Sequence, residues 1–208
     1  MTRTLGFLVV VLLCAPRIGM AQTIRFNLDA IGLTYQEVRE GREATGTGAG
    51  GGIELRVGKF RLDARAYSAQ LEPDSGGTPY DFKQIDVRVS FAVNRLLALE
   101  VGGGRRYVDP EFATQEVGVI RVGVLSENQL NRLADVWVRG AYLANPQFSG
   151  GGSADLAFEF QLGVGIGTAN KRFRFHAEYE FQRIDREVGS NDVPMQLSLA
   201  RAGIAFGF

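Results

Sequence analysis

The 208-residue chain has little of what most enzyme and metal sites are built from: one cysteine (Cys14), one histidine (His176) and one tryptophan (Trp137). One cysteine excludes an intramolecular disulfide and a multi-thiolate metal site, and one histidine leaves a single candidate for imidazole chemistry. Net charge is also missing. With 23 basic against 23 acidic residues the composition offers no electrostatic footprint for nucleic acid, so no such partner is expected. Proline is scarce, at 6, while glycine reaches 27, about twice its usual share of ~7%, which excludes a disordered Pro/Gly-rich chain. Beyond residue 22 no run approaches the roughly 18 apolar residues of a membrane helix. Any passage through a bilayer would therefore need a closed barrel, the other structure that satisfies its own backbone hydrogen bonds in hydrocarbon.

The one long apolar run lies at the start. Arg3, the stretch Leu5 to Ala15 and the small-x-small site Gly19-Met20-Ala21 have the order of a secretory signal, so residues 1–21 are expected to be cleaved and 22–208 to form one domain. Cleavage would remove Cys14 and leave 21 basic against 23 acidic residues. Lipidation of Cys14 is disfavoured by the bulky Leu13 before it.

From residue 22 onward the dominant pattern is alternation with period two. In the segment 172–182 one face reads Phe173, Phe175, Ala177, Tyr179, Phe181 and the other Arg172, Arg174, His176, Glu178, Glu180, Gln182. Similar apolar sets recur: Ile24/Phe26/Leu28/Ala30, Ile53/Leu55/Val57, Phe60/Leu62/Ala64/Ala66, Ile85/Val87/Val89/Phe91/Val93, Leu97/Leu99/Val101, Ile120/Val122/Val124, Val136/Val138/Tyr142, Leu156 through Ile166, and Ala200 through Phe208. They define about ten strands, eight being the smaller alternative, each roughly 10 to 15 residues long. Membrane-crossing strands need about 9 to 11. Tight turns at Gly58-Lys59, Asn94-Arg95 and 169–171 alternate with longer polar segments at 39–48, 72–79, 107–114, 146–153 and 186–193. Residues 126–132 break that rule; Ser126 and Gln129 have capping-box spacing, so one helical turn is expected there.

These features predict an all-β fold, an antiparallel up-and-down transmembrane β-barrel. The pattern resembles the small bacterial outer-membrane barrels of the broad OmpA/OmpX-like class, and the final Gly203-Ile204-Ala205-Phe206-Gly207-Phe208 resembles that class's assembly signal. The resemblance implies a Gram-negative-type outer membrane as location, outer-membrane lipid as surroundings, and contact with the assembly machinery through Phe206 and Phe208. It chooses no surface partner, and no cofactor or metal is expected.

Opposite the apolar face the strands carry charge of both signs, and by parity Arg56, Arg61, Asp63, Arg65, Asp86, Arg88, Glu100, Arg121, Arg139, Glu159, Arg174, His176, Glu178 and Glu180 are expected to fill the lumen. Arg25, Asp29, Glu54, Asp135 and Asp155 belong to the same parity set. In a barrel this narrow, long side chains of opposite sign favour an interlocked plug; a narrow channel with these charges setting ion preference is the alternative. A soluble lipocalin-type barrel, with the apolar face turned inward, is a third arrangement of the same alternation. Phe26, Phe60, Phe91, Phe173, Phe206 and Phe208 sit where an aromatic girdle belongs. A histidine-dependent hydrolase is disfavoured because His176 lies close to a tight turn, far from the rim where substrate would arrive. Glu178 and Glu180, about 7 Å apart on one face, have Arg172, Arg174 and His176 beside them, which makes charge compensation simpler than acid–base work. Gly46-Thr47-Gly48-Ala49-Gly50-Gly51 matches a dinucleotide-loop spacing but is followed by a strand, so it reads as a surface loop.

Overall fold

The computed structural model describes residues 22–37, 42–109, 116–168 and 172–207. Ten strands alternate in direction: β1 Gln22–Glu37, β2 Arg42–Val57, β3 Phe60–Pro73, β4 Tyr80–Ala92, β5 Leu97–Asp109, β6 Val117–Gln129, β7 Ala134–Phe148, β8 Ser153–Gly167, β9 Phe173–Val188 and β10 Asn191–Gly207. Each pairs antiparallel with its sequence neighbours, and β1 pairs with β10, closing the barrel without a free edge. Closure by β1 and β10 brings Phe26 opposite Phe206. The ten strands read from alternation are all present. The leader expected at 1–21 and Phe208, expected to belong to the assembly signal, lie outside the described residues.

One end of the barrel, the turn end, carries both ends of the described chain, the turns after β2, β4 and β6, and the end of β8 with the start of β9; the opposite end is the loop end. Around the turn-end half, the outward face is apolar and open: Leu28 is 64% exposed, Phe60 58% and Ile166 59%. Phe60 packs on Phe91 with ring centroids 5.2 Å apart, and Phe173 on Phe206 at 5.3 Å, forming part of the expected girdle. A monomeric water-soluble protein rarely exposes a continuous apolar band of this kind, which removes the lipocalin-type arrangement for this half.

Toward the loop end most strands keep their parity while the chemistry of their two faces exchanges; the register shifts between Gly118 and Ile120 in the β6–β7 pair and between Ala154 and Leu156 in β8. In β3 the outward series Phe60, Leu62, Ala64, Ala66 continues as Ser68 and Gln70, and the inward series Arg61, Asp63, Arg65 continues as Tyr67, Ala69 and Leu71. In β4 the outward Asp81 and Lys83 precede Ile85, Val87, Val89 and Phe91, while inward Tyr80 and Phe82 precede Gln84, Asp86 and Arg88. The loop-end half is therefore a collar, polar outside, around a dry core of Ile31, Leu33, Leu71, Phe82, Leu143, Ile184, Met195, Leu197 and Leu199.

Three sequence expectations are corrected. Gly46 to Gly51 lie within β2, not in a loop; a Cβ at Gly50 would meet Tyr67 Cβ at 2.6 Å, so glycine is what lets β2 and β3 approach. Residues 126–129 continue β6, and the bend that follows is set by Asn131, whose Oδ1 accepts from the backbone N–H of Leu133 and Ala134 at 2.8 and 2.9 Å; no helical turn forms. Strands of 13 to 17 residues consume most of the expected loops, leaving connections such as 74–79, 149–152 and 189–190.

Candidate functional site: the filled lumen

Period-two geometry aims every second side chain inward, and each of the ten strands places at least one charge in the turn-end half of the lumen, eight of them charges of both signs. Among the described residues ten arginines (25, 56, 61, 65, 88, 106, 121, 139, 174 and 201) meet ten carboxylates (Asp29, Glu54, Asp63, Asp86, Glu100, Glu127, Asp135, Glu159, Glu178 and Glu180). That balance leaves the turn-end half of the lumen without a field of one sign; Arg186, buried at the loop end over the Phe148 ring, stands apart from it.

Nearest the turn end, Glu54 accepts from Arg56 Nε at 2.7 Å and lies 2.5 Å from Arg61 Nη2, with Arg25 more distant at 3.4 Å. Glu127 accepts from Arg56 at 3.0 Å and Arg61 at 3.1 Å. One layer higher, Asp63 accepts from Arg65 Nε at 2.9 Å, and Glu178 from Arg65 at 3.0 Å and Trp137 Nε1 at 3.1 Å, with Arg201 Nε 3.2 Å away. Arg174 pairs with Asp135 and stacks over the Trp137 ring at 4.9 Å. Higher still, Glu159 accepts from Arg121 Nε at 2.8 Å, lies 2.8 Å from Arg88 Nη2 and accepts from Gln161 at 2.9 Å. Arg121 reaches Asp86 at 2.7 Å, Arg139 reaches Glu100 at 3.1 Å, and Glu180 accepts from Arg201 at 2.5 Å. Arg121, Arg139 and Glu180 are fully buried. Burying charge is costly unless it is paired and hydrogen-bonded, and here pairs within a strand or between near neighbours are tied together by Arg56–Glu127, Arg65–Glu178 and Arg88–Glu159, which reach across the barrel.

The charged layer meets the dry core through aromatic faces. Arg201 lies over Tyr67 at 5.7 Å, Arg106 over Phe82 at 5.3 Å and over Tyr35 at 6.0 Å, and Tyr67 stacks on Phe82 at 6.2 Å. A guanidinium desolvated against a π face retains attraction that an aliphatic wall would not supply. Beyond these rings Leu71, Phe82, Leu143 and Leu199 have no exposed surface, so the loop-end half of the lumen is closed by packed hydrocarbon.

All fourteen lumenal residues expected from parity line this interior. Asp155 does not: a register shift between Ala154 and Leu156 turns it outward, where it faces Glu187 and holds that carboxyl above its usual range. Parity also covered Arg106, Arg201, Gln84, Gln161 and Trp137, which the sequence reading left out, and Glu127 was hidden by the expected turn at 126–132; Gln182, read on the polar face of its strand, joins them inside. His176 sits three residues into β9 with Nε2 2.6 Å from Asp29 Oδ1, and Gly203 lies against both. It is a structural member of the network, with neither serine nor cysteine paired to it. Among the described residues no group of three or more His, Cys, Asp and Glu has metal-site geometry.

A closed ten-stranded antiparallel barrel with an apolar outer belt and a charge-filled lumen defines the outer-membrane type of β-barrel. Solved structures of that type share the fold. The outer membrane protease OmpT of Escherichia coli aligns with a TM-score of 0.57 at 8% identity, over 90% of this chain and 96% of its own. Neisserial surface protein A aligns at 0.47 and 13% over 89% and 97%, and Ail of Yersinia pestis at 0.43 and 12% over 91% and 100%. No protein-family model matches the sequence, and no curated protein does either. At 8% identity the OmpT alignment bears on the fold alone.

Proposed function

We propose that this chain is an outer-membrane protein with a sealed lumen, acting as a structural and surface-interaction barrel. Residues 1–21 direct export, the C-terminal strand with Phe206 and Phe208 engages the assembly machinery, and the turn end faces the periplasm. The observation that carries the reading is the double closure: a neutral, cross-braced charge layer backed by a hydrocarbon core. An ion would have to displace paired guanidinium groups and then cross packed leucine and phenylalanine. The cavity inside the charged layer, bordered by Glu54, Arg61, Arg65, Trp137 and His176, measures about 20 Å³, room for about one water. What the barrel offers to other molecules is then its exterior: the polar collar and its short connections.

A narrow channel is the second reading, favoured by a recess of about 420 Å³ at the turn end, lined by Arg25, Arg56, Lys59, Arg61 and Arg95. Both are tested by single-channel recording of residues 22–208 refolded into a planar bilayer, with insertion verified by the heat-dependent shift of the folded barrel on electrophoresis. Insertion without conductance steps is expected. Steady ohmic steps would overturn the sealed reading and make Arg65 and Glu178 selectivity residues. Hydrolysis is not supported, because His176 is bonded to Asp29 deep in the turn-end half.

A further inference from the structure

Two of the turns at the turn end are copies of one another. Val93-Asn94-Arg95-Leu96-Leu97 and Leu130-Asn131-Arg132-Leu133-Ala134 share the order apolar, Asn, Arg, Leu, apolar. In each, the asparagine Oδ1 accepts the backbone N–H two and three residues on, at 2.8 and 2.9 Å. In each, the N–H of the asparagine and of the residue before it both donate to the carbonyl of the fifth residue, Leu97 or Ala134. The fold thus fixes an arginine and a leucine side by side, twice. Leu96, Leu130 and Leu133 are 55%, 60% and 45% exposed, although they lie past the Phe60/Phe91 pair that borders the apolar belt.

Charge separates in the same place. Lys59, Arg95, Arg132 and Arg172 stand on the turn-end connections, whose described residues include no acid. Arg95 and Arg132 have no carboxylate partner among the described residues, in contrast to the paired arginines of the lumen. Between the β2–β3 and β4–β5 turns opens a recess of about 420 Å³, in which Arg25, Arg56, Lys59, Arg61 and Arg95 outnumber Glu127 and Asp135.

We infer that the turn end is a phosphate-binding rim, seated in the headgroup layer of the periplasmic leaflet and selective for anionic phospholipid, with Arg95 and Arg132 as its main contacts. The inference rests on the membrane placement and orientation proposed above. Leucine next to arginine suits that layer: the aliphatic side chain enters the glycerol and upper acyl region while the guanidinium fork meets phosphate oxygens in pairs. A turn standing free in water would gain nothing from half-open Leu96 and Leu133 at one matched position and half-open Val93 and Leu130 at another. Each cation at an anionic lipid surface strengthens association about fivefold.

The test reconstitutes residues 22–208 in phosphatidylcholine vesicles and compares spin-labelled phosphatidylglycerol with spin-labelled phosphatidylcholine as the lipid immobilised at the protein surface. A preference for phosphatidylglycerol is expected, reduced at least threefold in the double variant Arg95→Gln/Arg132→Gln and unchanged by Lys83→Gln, which removes a cation from the collar. Equal immobilisation of the two lipids, an unaltered preference in the double variant, or an equal loss in Lys83→Gln overturns the inference while leaving the membrane barrel intact. Failure to insert overturns the membrane placement and this inference with it.

Discussion

Glu159 accepts or faces three cationic or amide donors at 2.8 to 2.9 Å from Arg88, Arg121 and Gln161, with almost no water access. Neutralising it leaves two buried guanidinium groups with one fewer counter-charge, and breaking a buried pair costs about 3 to 5 kcal/mol. Glu159→Gln keeps the shape and one acceptor, so a loss of about 3 kcal/mol is expected in urea unfolding from vesicles. Arg183, paired with Asp185 on the open collar, should lose under 1 kcal/mol on conversion to alanine. Equal costs at the two sites would mean that the lumenal network is far wetter than its geometry implies. Gly163 offers a sharper test. A Cβ there would lie 2.1 Å from Trp137 Cζ2, so the indole lies flat across β8 only because that position is glycine. Gly163→Ala should push the ring off its Glu178 bond, cost about 1 to 3 kcal/mol as overpacking, and shift the emission of the chain's single tryptophan. An unshifted spectrum with unchanged stability would refute the packing.

Strand β3 shows at the next scale why the collar exists and why the sequence only half revealed it. Its outward side chains pass from Ala64 and Ala66 to Ser68 and Gln70 without any break in hydrogen bonding, so the lipid boundary falls between residues 66 and 68. Single cysteines placed at 64, 66, 68 and 70 in a chain without Cys14 should react with a membrane-impermeant maleimide only at 68 and 70. Uniform labelling or uniform protection would remove the boundary. Strand number, parity and the charged lumen were legible because alternation is strict in the membrane half, where each strand has one lipid face. The collar was not, because its apolar side chains sit on the opposite parity: Met195, Leu197 and Leu199 in β10 alternate as regularly as Ala200, Ala202 and Ile204 but point the other way. A reading that follows one apolar set stops where the sets exchange and assigns the remainder to loops. β2 was lost differently, since glycines at 46, 48, 50 and 52 leave one face of the strand with no side chain to alternate.

For the whole barrel, the exchange of faces sets how much bilayer it matches. The outward apolar run spans six residue steps in β4, from Ile85 to Phe91, and ten in β8, from Leu156 to Ile166. At a rise of ~3.3 Å and a tilt of ~40° these runs stand about 15 and 25 Å tall, below the ~30 Å core of an average bilayer. The collar accounts for the remaining strand length and carries Ser68, Gln70, Lys83, Ser198 and Gln196 outward. A thicker bilayer must thin around the barrel or draw those polar groups into hydrocarbon, at fractions of a kcal/mol per Å, hence on the order of 2 kcal/mol over the change from dilauroyl to dioleoyl lipid. The unfolding midpoint in urea is therefore expected to be highest in dilauroyl vesicles and to fall as acyl chains lengthen, with the dry core of the collar unaffected because it lies above the membrane in every case. A midpoint that rises with chain length would mean that the collar is itself immersed, and would displace the boundary at residues 66 to 68 together with the surface role argued for the polar ring above it.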